Sequence, residues 1–288
     1  MNVKTDLAIE AKRLWDASPQ RKTLLPGVKA RQTAHLGIEL DVVEILDEEG
    51  ARELGKPVGT YVTVNLDLLQ QRRRDAFQNT AAALAKVLAD MIPEGNCYLV
   101  VGLGNMDITP DRVGPCALDH VIVTHHLKEG GNSVFDAFAD VSAVAPGVMG
   151  KTGLESAQMV EALVERLKPD CLVVVDALAS CEPERLCMTV QVTDTGLVPG
   201  SGVRNHRAAF TKEGMGVPVI AVGVPTVVDG RTFQRLYQED GEEIRSDLIL
   251  STRDIDLRIP ELGKLIGYAI NLAAHPWLSQ EDIPAFLS

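Results

Sequence analysis

The chain has 288 residues, 45% apolar, 24% charged and only 4% aromatic, a balance that excludes a disordered chain and suits an extended core packed by Val, Leu, Ala and Ile. A formal net charge of −12, with no basic cluster longer than Gln71-Arg72-Arg73-Arg74, argues against a nucleic-acid-binding surface. No apolar run is long enough to span a bilayer, and the five cysteines (Cys97, Cys116, Cys171, Cys181, Cys187) form no CxxC pair, so a soluble cytoplasmic protein with reduced thiols is expected.

Leu40 to Leu46 and Tyr61 to Leu66 show strand alternation or β-branched content, which gives residues 1–95 a mixed α+β character. Asn79 to Met91 then places Leu84, Val87, Leu88 and Met91 at helical spacing, and Pro93-Glu94-Gly95 stops the helix. From Cys97 onward the pattern is apolar strand, glycine turn, helix, repeated. Strands are predicted from Cys97, over Asp140 to Ala145, Cys171 to Val175 and Val217 to Val222, with a helix over Glu155 to Leu167. Met188 to Val192 adds a further strand, expected at an edge. This grammar predicts an α/β fold for residues 96–288, a largely parallel sheet flanked by helices, with the N-terminal α+β portion as an extension of one domain over 1–288. Gln234 to Asp247 reads as an exposed charged connection before a C-terminal helix from Ile255 to Ala274, and there is no internal repeat or low-complexity tract.

The chemistry concentrates at two strand ends. Val100 to Leu103 is a buried strand running into a glycine-permitted turn, after which Thr109 is placed as an N-cap, Pro110 at the first helical position and Asp111 in the first helical turn. A carboxylate there either stabilises a helix start or serves a site. Gly102-Leu103-Gly104 lacks the third glycine of GxGxxG and no Walker lysine follows, so phosphate binding is set aside. Cys171 to Val175 ends on Asp176, where open parallel sheets bind ligands, although an aspartate there also caps loops. If the two strands are neighbours, Asp111 and Asp176 face one cleft. Asp194, in Thr193-Asp194-Thr195-Gly196, is a candidate third acid in what also reads as a turn. Gly104, Asn105 and Asp107 are candidate supporting or substrate-binding positions.

Other constellations are weaker. His125-His126 lies outside any HExxH pattern and reads as a histidine pair at a helix end; His206 and His275 stand alone. No GxSxG elbow occurs, and Cys181 and Cys187 have neither zinc spacing nor a nucleophile's context. No cofactor and no metal are expected, with a divalent cation on the same acids kept as an alternative.

These blocks together resemble the spore germination protease family over nearly the whole chain. The matching stretches are Lys4 to Ala11, Val100 to Asn105 with Thr109-Pro110-Asp111, Ala145 to Gly150, Val173 to Ser180, Thr193 to Gly196, Pro199 to Val203 and Gly216 to Asp229. The resemblance implies an endopeptidase that degrades small acid-soluble spore proteins in the spore core during germination, made as an inactive precursor and assembled as a homotetramer. It further implies an atypical aspartic peptidase whose acids match Asp111 and Asp176, and a fold like that of hydrogenase maturation endopeptidases, where acids at equivalent places bind nickel. Met106 and Val198 depart from the residues usual in the family, the connection before the last helix is short, and only Met1-Asn2 precede the first block, so a precursor segment is expected to be absent or nearly so. A metal-dependent peptidase, or a family member kept as a non-catalytic binding module, are the alternatives.

Overall fold

The computed structural model describes residues 5–18, 25–130, 133–200, 208–237 and 248–287. Its centre is one nine-stranded sheet. In chain order the strands are β1 (Val28–His35), β2 (Ile38–Ile45), β3 (Gly59–Asn65), β4 (Cys97–Gly102), β5 (Asp140–Val144), β6 (Cys171–Ser180), β7 (Thr189–Thr193), β8 (Val219–Asp229) and β9 (Ile249–Leu250). Across the sheet they run β1-β2-β3-β7-β8-β6-β4-β5, with β9 paired to β8.

The sheet has two halves of different grammar. β5, β4, β6 and β8 are mutually parallel and joined through helices; β4, β6 and β8 read in sequence as largely apolar runs because both faces are covered, whereas β5, at the edge, is only partly buried. β1, β2, β3 and β7 are antiparallel. The expected α/β class therefore holds, and the N-terminal strands are continuous with the parallel sheet. Met188 to Val192, expected at an edge, proves central: β7 lies between β3 and β8 and all five of its residues are buried. A short strand of Thr and Val reads alike at an edge and in the middle, and only its partners separate the two.

One face of the sheet is covered by the helices Ala76–Met91, Val113–Leu118 and Ile255–Ala274, which pack Leu84, Leu88, Ala117, Leu262 and Ile266 against Val100, Val173, Val175 and Val222. The other carries the helix Ser156–Leu167, whose Ala157, Val160 and Val164 meet Leu99, Val101, Leu172 and Val174. Successive side chains of β4 and β6 thus enter opposite cores, as the two-residue period of a strand requires. The Ala8–Asp16 helix forms a smaller cluster with Val43, Ile45, Leu54 and Tyr61. Within Gln234 to Asp247, residues up to Tyr237 belong to the helix Gly230–Tyr237; 238–247 lie outside the described residues.

Candidate active site

β4 and β6 are hydrogen-bonded neighbours running the same way, but β6 does not stop at Val175 as expected: it continues along β8 to Ser180, so Asp176 sits inside the strand, just past the level at which β4 ends. The Leu103 N–H donates to the Val175 carbonyl at 2.8 Å, and the chain then turns at Gly104, whose φ of +129° belongs to a region that side chains avoid. A Cβ at Gly104 would stand 1.7 Å from the Asp111 carbonyl oxygen. The returning Asp111 turn therefore packs directly on that backbone. The loop is tied from inside: the Asn105 N–H donates to Asp111 Oδ2 at 2.9 Å, and the Asp107 N–H to Asn105 Oδ1 at 3.1 Å.

Thr109–Asp111 form a 3₁₀ turn rather than the start of an α-helix, and Thr109 is not its cap. Ile108 holds the cap position, and the Thr109 hydroxyl donates instead to Asp256 Oδ1 at 2.8 Å, at the head of the last long helix. Helix Val113–Leu118 follows at once, with Gly114 set so close to both strands that a Cβ would meet the carbonyl oxygens of Leu103 at 2.3 Å and Val175 at 2.5 Å. That approach seats the Asp111 turn against β6 and β8.

Asp176 follows Val175 directly, is 5% exposed, and faces the side of the sheet occupied by Leu172 and Val174. Its Oδ1 accepts the N–H of the next residue, Ala177, at 2.9 Å. The two acids named from the sequence thus share one place on the sheet, Asp111 on the turn and Asp176 on the strand beneath it. Asp107 is exposed on the same loop and ion-pairs with Lys151, which links this loop to the 147–153 segment.

Asp194 is not brought to this place. Gln191 on β7 is level with Gly223 on β8, which is level with Asp176, and β7 runs opposite to both, so Asp194 lies toward the amino end of β6. There its Oδ1 accepts the Thr60 N–H at 2.8 Å, a structural tie to β3. His125 and His126 open the helix His125–Glu129 rather than closing one, and His125 Nδ1 sits 2.8 Å from Asp140 Oδ1. His206 lies outside the described residues. Burial pushes the thiols of Cys171 and Cys187 up to about 12 and about 11, and burial followed by the Glu10 charge raises Cys181, so none of the three is a ready nucleophile. Among the described residues no three His, Cys, Asp or Glu side chains gather as a metal-ligand set. No described helix is long and apolar enough to cross a membrane.

The model of the germination protease family matches residues 6–235. The chain belongs to the germination protease family. It is 37% identical to the germination protease of Caldanaerobacter subterraneus subsp. tengcongensis, covering 100% of this chain and 98% of that one, and 36% identical to that of Clostridium perfringens, covering 100% and 99%. The germination protease of Oceanobacillus iheyensis is 44% identical over 80% of this chain and 65% of its own length. Among solved structures, a NiFe hydrogenase maturation protease HycI from Thermococcus kodakarensis is similar with a TM-score of 0.36 at 20% identity, covering 64% of this chain and 98% of that one. Family membership supports a peptidase role in spore germination.

A feature of this germination-protease fold that no sequence argument singled out lies just beyond Asp176. Glu10 is fully buried and gathers the Cys181 N–H at 2.8 Å, the Glu182 N–H at 3.3 Å and the hydroxyls of Ser180 and Thr5. Arg185 Nε lies 3.8 Å from its carboxylate and 2.7 Å from Glu182. Lys56 donates to the Thr5 carbonyl at 2.8 Å; burial lowers its pKa, and the charges of Asp6 and Glu10 work against that shift. The N-terminal segment is stitched to the extension of β6: the Asp6 N–H donates to the Ala179 carbonyl at 2.9 Å, and the Ala179 N–H donates to Asp6 Oδ2 at 2.8 Å. The available signal was an acid, Glu10, inside the apolar run Leu7-Ala8-Ile9 to Ala11 at the start of a helix.

Proposed function

We propose that this protein is an endopeptidase that begins the breakdown of small acid-soluble spore proteins during germination, with Asp111 and Asp176 activating the attacking water. The observation that carries this reading is the shared place on the sheet: the turn that bears Asp111 follows β4 and packs on the adjacent parallel strand β6, which bears Asp176. Chemically, two carboxyls that share a site do not both ionise easily, so their proton affinities separate. One stays ionised and takes the proton of the water; the other, protonated, donates to the scissile carbonyl and stabilises the oxygen as it gains charge. Family membership supplies the reaction class, and the substrate follows from the family resemblance.

The test uses Asp111→Asn and Asp176→Asn proteins whose folding is verified by near-ultraviolet circular dichroism, with a purified small acid-soluble spore protein as substrate. General acid–base roles contribute on the order of 10²–10⁴ in rate, so each substitution lowers kcat by at least that much. Wild-type turnover in either folded variant rejects the assignment. Chelation in parallel separates a metal-assisted variant of the same chemistry: full activity in metal-free protein fits the carboxylate pair alone.

A further inference from the structure

β6 outruns its neighbour. β4 ends at Gly102, level with Val175, whereas β6 continues to Ser180 along β8. In a strand, successive backbone groups point alternately to the two sides, and the pattern here is explicit. The Leu172 N–H turns toward β8, donating to the Pro218 carbonyl at 2.9 Å, so the odd-numbered residues turn toward β4. Val175 does so and receives Leu103; Ala179 does so and is held by Asp6. Ala177 is the alternate position between them, and among the described residues no strand pairs with it on that side.

The seat has defined ends. From Val175 to Ala179 is about 13 Å at the usual rise of a strand, room for roughly three extended residues. Its N–H is already taken, since Ala177 donates to Asp176 Oδ1 at 2.9 Å. The Asp176 carboxylate therefore occupies the acceptor position that the carbonyl of an adjoining strand would fill. What the edge still offers is the Ala177 carbonyl, on a residue that is only partly buried.

The geometry points to a main-chain docking seat at Ala177, in which the extended substrate adds to the open edge of β6 between Leu103 and Asp6 and donates one backbone N–H to the Ala177 carbonyl. Strand addition of this kind recognises any extended polypeptide through its backbone, leaving side chains to set preference. The occupant is a peptide substrate because the chain belongs to a protease family, so the inference rests on the protease reading given above. Its consequence is positional: Asp176 Oδ1 holds the place that an adjoining strand's carbonyl would fill, so a peptide seated on the Ala177 carbonyl runs directly beside the acid. The Asp6 and Glu10 ties then act as the end-stop of the seat, positioning the strand without touching the reacting atoms.

The experiment uses the full-length Asp111→Asn protein and a fluorescent peptide spanning the bond that the wild-type protein cuts in a small acid-soluble spore protein. A set of peptides, each carrying a single backbone N-methyl group, is compared by fluorescence anisotropy. The seat predicts one position, within two residues of the scissile bond, where N-methylation weakens binding about tenfold or more, as expected for one lost buried hydrogen bond; the next residue on either side, whose N–H points away, is affected less. A diazirine placed at the sensitive residue crosslinks to 176–179, Leu103 or Asp6. Uniform tolerance of N-methylation, crosslinks confined to other surfaces, or no binding at all overturns the seat. The same scan read as KM on the wild-type protein guards against a binding defect peculiar to the variant. Normal cleavage with uniform tolerance rejects the seat and leaves the protease standing, whereas the sensitive position and crosslinks without aspartate-dependent cleavage do the reverse.

Discussion

Replacing Glu10 by alanine is the sharpest test of how the site is held. Glu10 is a fully buried carboxylate with two backbone N–H groups and two hydroxyls directed at it, and Arg185 close by. Removing it leaves the buried Cys181 N–H without its acceptor, at a cost of about 1–3 kcal/mol. It also strips an opposite charge from Arg185 and Lys56, and breaking a buried ion pair typically costs about 3–5 kcal/mol. Arg185 keeps Glu182 at 2.7 Å, so the two costs do not simply add, and a net loss of about 3–5 kcal/mol is expected. Against a typical folding stability of about 5–15 kcal/mol, that is a large fraction. Glu10→Gln preserves size and one oxygen acceptor but presents an amide to donors, and loses roughly half as much. Urea unfolding followed by circular dichroism measures both, and amide exchange at Cys181 and Glu182 reports whether the β6 extension loosens first. A Glu10→Ala protein within about 1 kcal/mol of wild type refutes the reasoning, because the cluster would then be a solvated surface feature and not the anchor of the strand end.

Gly104→Ala is expected to cost about 1–3 kcal/mol, since its φ of +129° and the Asp111 carbonyl 1.7 Å from a built Cβ leave no room, and to lower kcat further than its unfolding midpoint implies because the Asp111 turn must move; thermal unfolding and cleavage assays on the same protein check both. His275 is buried beside Phe138, and burial followed by the Lys128 charge lowers its pKa from 6.5 to about 4. The unfolded chain therefore binds the proton that the native state refuses between those values, so stability falls as pH drops from 6.5 toward 4, by up to roughly 3 kcal/mol. His275→Phe removes that part of the slope, read from urea midpoints at neutral and at acid pH for both proteins.

Much of the parallel half was legible because its signals are local. Cys171 to Val175 is an unbroken apolar run that meets an acid at Asp176, and Val100 to Leu103 runs into a glycine turn, so both acids stood out; that β6 continues past Asp176 to Ser180 was not legible, because Ala177 to Ser180 lack the apolar run that marked its first half. Thr109 misled because its hydroxyl is claimed by Asp256, 147 residues away, in preference to the turn it precedes. Asp194 was ambiguous for a similar reason: its four residues fit a turn as well as a site, and only the antiparallel direction of β7 turns it away from Asp176 and toward Thr60.

The sequence by itself determined the family, the α/β alternation and the two candidate acids, since motif order, apolar period and glycine turns are properties of neighbouring residues. Only the tertiary structure decided that β7 is central, that Glu10 reaches Ser180 across 170 residues of chain, and that β6 runs past β4, leaving Ala177 without a strand partner on that side among the described residues. The physical reason is common to all three: strand neighbours and the partners of a buried charge are set by long-range pairing, and a strand's own residues do not record which strand stops first beside it.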